Sequence, residues 1–162
     1  LYTMIEDLRQ KNLQVITIED PVERPLKGVR QSQINPEISY GFKEAFKACL
    51  RQDRDVILFG QMRDAETAQL VIEAAYSGHL IFASLHTNNC ENTLKRLISF
   101  NLDPFLLGFA LTGIIAQALV GITCKICMGK GCQACQFNGF SKRELDSEIL
   151  EIIKNTLTQK FI

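Results

Sequence analysis

The spacing of apolar residues changes along the chain, and the changes mark its elements. Met4, Ile5 and Leu8 fall at helical spacing within residues 2–10, so the chain opens in a helix. Val15–Ile18 is a short β-branched run that ends at Glu19-Asp20-Pro21, where proline stops a strand. Around the alternating Val29–Ile34 stand Pro25, Gly28 and Pro36, which reads as a loop-rich hairpin or an edge strand. Phe42, Ala45, Phe46, Cys49 and Leu50 share one face of a predicted helix over 41–52. Asp55–Phe59 is a nearly continuous apolar strand, the pattern of one covered on both faces. A helix over Ala65–Tyr76, a strand over Leu80–Ser84 and a helix capped by Asn88-Asn89 and reaching Phe100 follow. Strands alternating with helices call for parallel crossovers, hence an α/β fold with a doubly wound sheet.

Phe105–Thr123 carries no charge and is long enough to span a bilayer. Its flanks, Asp103 and Lys125, offer no polybasic stop, and Gly108, Gly113 and Gly121 interrupt it. We read it as one or two buried helices, with Gln117 meeting a partner. Residues Leu145–Phe161 have the spacing of an amphipathic helix. The division is then a core over 1–123, a cysteine knuckle over 124–143 and a helical tail over 144–162.

Composition narrows the class. The chain has 162 residues, 46% apolar and 22% charged, which suits a globular fold rather than disorder. Eighteen basic and eighteen acidic residues cancel, so bulk charge gives no reason to expect nucleic acid or a membrane surface as partner. Cys124, Cys127, Cys132 and Cys135 follow the spacing C-x2-C-x4-C-x2-C, which can present four thiolates to one soft cation. Zinc is the expected ion, with free thiols or an iron–sulfur centre as alternatives. Clustered cysteines also fit a reducing cytosol better than a disulfide scaffold. Cys49 and Cys90, inside helices, read as small core side chains.

In an open parallel sheet, ligands bind beyond the carboxyl ends of the strands. Glu19, Asp20 and Glu23 follow the first strand, Gly60, Gln61, Met62, Arg63 and Asp64 the second, and Ser84 to Asn88, with His86, the third. Carboxylates there could hold Mg²⁺ and polarise a water, while arginine and histidine could read phosphate charge. The competing reading has each acid capping a helix and each histidine satisfied in a turn. His79 begins the third strand, away from that rim.

Five blocks resemble the secretion ATPases of type II secretion and type IV pilus assembly. Ile16–Glu23 (ITIEDPVE) is similar to the family's Asp box, and Leu50–Asp64 (LRQDRDVILFGQMRD) to its Walker B region. Gly78–Asn88 (GHLIFASLHTN) resembles its His box, Pro104–Val120 the helical segment after it, and Gly131–Arg143 (GCQACQFNGFSKR) its zinc-binding stretch. The resemblance implies a RecA-like P-loop NTPase core with ATP, Mg²⁺ and Zn²⁺. It further implies a homo-hexamer on the cytoplasmic face of the inner membrane, peripheral to it and docked on secretion or pilus platform proteins. The paired cysteines favour secretion and pilus-extension motors over retraction motors.

Carried over residue by residue, Glu19, Asp20 and Glu23 would organise Mg²⁺ and water, and His86, accompanied by His79, would position the γ-phosphate. Arg51, with Lys47 one turn earlier, would reach a neighbouring subunit's nucleotide, and Arg143 would stand near the nucleotide. The four cysteines would hold structural Zn²⁺. The departures are specific. No G-x-x-x-x-G-K-[ST] occurs, and Leu1-Tyr2 resembles the point just after that loop, so the core is expected to be incomplete, with the loop upstream. Gln61 stands where the family carries the Walker B glutamate, and an amide cannot accept a proton as a carboxylate does. Lys47 and Ala118 replace arginines, and the cysteine pairs lie closer together than the family's. A catalytically degenerate subunit or regulator is the second reading, and an autonomous zinc-binding interaction module the third.

Overall fold

The computed structural model describes residues 1–152. Strands β1 (Val15–Glu19), β2 (Arg30–Gln33), β3 (Val56–Phe59) and β4 (Leu80–Ala83) form one wholly parallel sheet in the order β2-β1-β3-β4. The proline-bounded segment 29–34 is therefore an edge strand parallel to β1, not half of a hairpin. Helices α1 (Tyr2–Gln10), α2 (Phe42–Cys49) and α3 (Ala65–Tyr76) stand where the apolar spacing predicts them, α2 ending three residues short of expectation.

The alternation within each strand sorts the core into two layers. Val15, Val56 and Leu58 pack with Ile5 of α1 on one face. Ile16, Ile18, Ile57 and Phe59 pack on the other with Ala45, Phe46 and Cys49 of α2 and Ala68, Val71 and Ile72 of α3. Phe46 meets Phe59 edge to face at 5.6 Å between ring centres. Full burial of one such side chain contributes about 1.5–3 kcal/mol, so β1 and β3, covered on both faces, anchor the unit. Side-chain caps fix the helix starts: Asp64 accepts from the Thr67 N–H at 2.8 Å before α3. Asn89 does the same for the Asn92 N–H, at 2.8 Å, before α4 (Cys90–Ser99).

The second half departs from expectation. Only Pro104–Ala110 of the long apolar segment is helical (α5). Gly113–Thr123 is a strand, β5, paired antiparallel with β6 (Phe140–Glu151), which begins well before the helix expected from Leu145. The rest of that expected helix, 153–161, lies outside the described residues. Pairing explains the correction, because Ile115 faces Ile149 and Leu119 faces Leu145 across the ribbon. Such cross-strand apolar pairs stabilise a sheet, whereas a helix of 145–151 would leave β5 unpaired. Ile114 and Ala116 at the root of the ribbon pack on Cys90 of α4, whose Leu97 joins the α2–α3 layer, so α4 joins ribbon to sheet. No helix among the described residues is long and apolar enough to cross a membrane.

Candidate functional site

Parallel strands in register end together, and here Ile18 lies opposite Phe59 and Phe59 opposite Ala83. The residues that follow, Glu19, Gly60 and Ser84, therefore stand side by side. The backbone ties them: the Gly60 N–H donates to the Ile18 carbonyl at 2.7 Å and the Met62 N–H to the Ser84 carbonyl at 3.0 Å. The Ser84 hydroxyl closes the set by donating to the Gly60 carbonyl.

One guanidinium joins two of these strand ends. Arg63 Nε donates to Gln61 Oε1 at 2.7 Å, and its Nη1 lies 3.4 Å from Asp20 Oδ2. Asp20 and Gln61 are thus brought together at the rim through Arg63. Glu19 is different in kind. It is 5% exposed, and its two oxygens accept from the Tyr2 hydroxyl, the Thr17 hydroxyl and Gln31 Nε2. Three donors satisfy a buried carboxylate. Burial, and then the bond to Glu19, hold the Tyr2 phenol above its ordinary pKa, so it is a protonated donor at neutral pH. The Glu23 N–H donates to the Tyr2 oxygen at 3.1 Å, while the Glu23 and His86 side chains are exposed.

Other expected residues lie elsewhere. Helix α2 carries the chain from the C-terminal end of β2 to the N-terminal end of β3, so Lys47 and Arg51 are at the far end of the sheet from this rim. His79 shares that far end. Its Nε2 is 2.8 Å from Arg54 Nη2 and its Nδ1 is 3.0 Å from the Ala74 carbonyl. A carbonyl only accepts, so Nδ1 carries the proton and Nε2 receives the Arg54 bond. Arg143 lies in β6 opposite Gly121, in a groove of about 290 Å³ shared with Asn138, Phe140, Ser141 and Lys142. Sequence reasoning missed Tyr2, Thr17 and Gln31. A threonine inside the β-branched run of β1 was the one available signal, since a buried hydroxyl needs a partner.

The cysteine cluster sits at the tip of the ribbon. The four sulfurs lie within 4.8 Å of one another, with Cys124–Cys132 at 3.9 Å, Cys127–Cys135 at 3.7 Å and Cys132–Cys135 at 3.8 Å. Tetrahedral thiolates at about 2.3 Å from zinc are separated by about 3.8 Å, so the donor set fits a zinc ion. Backbone amides support the charge: Gly131 N–H points to Cys127 Sγ at 3.2 Å and Cys132 N–H to Cys135 Sγ at 3.1 Å. The Cys132 amide is the main reason the Cys135 thiol is lowered to about 6, whereas desolvation pushes Cys127 up to about 11. The knuckle is compact because a Cβ at Gly139, φ +80°, would lie 2.6 Å from the Gly129 carbonyl oxygen.

The family model described as type II/IV secretion system protein matches residues 1–160. Type II secretion system protein E of Dickeya dadantii (strain 3937) is 42% identical over 117 residues, covering 72% of this chain and 24% of the relative. Type II secretion system ATPase E of Vibrio cholerae is 39% identical, with 72% of this chain and 23% of the relative covered. Among solved structures, the pilus retraction motor PilT with bound ADP superposes with a TM-score of 0.75 at 30% identity. That match covers 97% of this chain and 46% of PilT. The chain thus spans about a quarter of the length of the curated relatives it matches.

Proposed function

Since this chain belongs to the type II/IV secretion system protein family, we propose that it is the acid-rimmed part of an ATP-driven motor subunit. The motor powers type II secretion or type IV pilus assembly. The observation that carries the reading is the Arg63 guanidinium held between Asp20 and Gln61 at the ends of adjacent parallel strands. That is the place where an α/β sheet takes a ligand, and it offers both signs of charge.

The residues fit a magnesium nucleotide in part. Asp20 and the exposed Glu23 supply carboxylate oxygens of the kind that bind hydrated Mg²⁺, which when bound neutralises phosphate charge. Arg63 fixes the Gln61 amide, and that amide orients a water without taking its proton, so proton acceptance falls to a rim carboxylate. His86 reads phosphate from the neighbouring loop. Lys47 and Arg51, at the opposite end of the sheet, suit contact with the nucleotide of an adjacent copy in a homo-hexamer, as does Arg143 on the ribbon. His79, through Arg54, supports that same end. Glu19 holds the strand end rather than the metal, because its oxygens are already taken. The four cysteines hold Zn²⁺ as a structural staple, making 124–143 a unit distinct from the core. The subunit works at the cytoplasmic face of the inner membrane on secretion or pilus platform proteins, and no nucleic acid is involved.

The test is ATP hydrolysis by the full-length protein, beside Asp20→Asn, Glu23→Gln and Gln61→Glu. Turnover in wild type that Asp20→Asn and Glu23→Gln reduce, and Gln61→Glu changes little, is the expected result. Turnover seen only in Gln61→Glu would identify a degenerate, non-hydrolysing subunit instead.

A further inference from the structure

We propose that the Tyr2 hydroxyl is a positioning group for the acidic strand end, fixing Asp20 and Glu23 from helix α1. The inference rests on the motor reading above and names the device that holds its carboxylates in place.

The hydroxyl is used in both directions: it donates to Glu19 Oε2 and accepts from the Glu23 N–H at 3.1 Å. It therefore bridges the last residue of β1 to the chain four residues on, with Asp20 in the span between. A second grip comes from the same helix. Glu6, one turn after Tyr2, pairs with Arg24 at 2.8 Å, and the Arg24 guanidinium lies 5.6 Å from the centre of the Tyr2 ring. Ile5, 0% exposed, seats α1 against β1 and β3 between the two grips.

The other side of the segment is tied to β2. Gln31 Nε2 donates to Glu19 Oε1 at 3.1 Å and to the Arg24 carbonyl at 3.0 Å, while Gln31 Oε1 accepts from the Leu26 N–H at 2.6 Å. Gln33 Oε1 accepts from the Val22 N–H at 3.1 Å. Residues 19–26 thus hang between an edge strand and the first turn of α1. The α1 side depends on a single phenol oxygen at its strand end. Displacement of the first turn of α1 would reach Asp20 and Glu23 through that oxygen.

The experiment uses the full-length protein and its Tyr2→Phe variant, which removes the hydroxyl but keeps the ring beside Arg24. We expect kcat for MgATP to fall about tenfold or more while KM for ATP stays within about threefold, since positioning acts on the reacting geometry rather than on binding. Amide exchange at Glu23 should quicken in parallel. Tyr76→Phe, at an exposed ring packed on Phe109, controls for loss of a phenol and should leave kcat unchanged. If Tyr2→Phe does not fold, Glu6→Gln carries the test at the second grip, with kcat lowered about twofold to fivefold and KM held. Active wild type with kcat untouched in Tyr2→Phe, or in Glu6→Gln where that variant carries the test, overturns the inference alone. Inactive wild type overturns the motor reading and the inference together.

Discussion

Replacing Gly60 with alanine would press a methyl group into the junction of β1 and β3. The added Cβ would lie 2.8 Å from the Ile18 carbonyl oxygen and 3.2 Å from Glu19 Cα. Both atoms are backbone, in a strand paired on each side, so neither can rotate away. Carbon contacts are optimal from about 3.5 Å, so the strand ends must part by several tenths of an ångström. The 2.7 Å bond from the Gly60 N–H to the Ile18 carbonyl lengthens with them. Overpacking of this kind costs about 1–3 kcal/mol. Loss of glycine's freedom in the unfolded chain returns about 0.4–1 kcal/mol, so the middles of the two ranges leave a net destabilisation of about 1.3 kcal/mol. With a urea slope of about 2 kcal/mol/M, the midpoint should fall by about 0.6 M at unchanged slope. Equilibrium unfolding by far-UV circular dichroism measures it directly. A Gly60→Ala midpoint indistinguishable from wild type would show that the strand ends are not held as closely as this geometry requires.

Three other outcomes follow from the cysteine cluster and the ribbon. One equivalent of zinc should raise the melting temperature of metal-free protein and Cys127→Ser should abolish the rise; metal analysis finding no zinc in either would dismiss the site. Because Cys127 sits at about 11, it is protonated at pH 7 and must lose its proton on capture. Zinc addition in weak buffer should then release protons, and zinc affinity should fall as pH falls; a pH-independent affinity would contradict thiolate ligation. Glu148 of β6 accepts from the Cys90 N–H at 2.9 Å, capping α4 from another element. Glu148→Ala should cost about 1 kcal/mol in a urea titration, and no loss would mean that water serves equally well.

The centre of the sheet was legible because β1 and β3 are short, apolar and covered on both faces, so Val15–Ile18 and Asp55–Phe59 needed no context. The ribbon was not. Residues four apart share a face in a helix and also in a strand, so Leu145 and Ile149 fit both periods. Only the distant partners Leu119 and Ile115 decide between them. The same limit applied to the rim. Asp20 and Gln61 announce themselves by following strands, whereas Tyr2 looks like one more residue of an amphipathic helix until α1 is laid against β1. Lys47, Arg51 and His79 gather at the other end of the sheet because chain direction in a parallel crossover, invisible in a motif, sets which end a residue occupies.

The antiparallel pair of eleven and twelve residues is seated at Gly113–Ala116 and carries the cysteines at its opposite extremity. At about 3.4 Å per residue it reaches roughly 35 Å, so pivoting it by about 10° would sweep the thiolate tip through about 6 Å. A small tilt of α4 is thereby geared up into a stroke comparable to one helical turn.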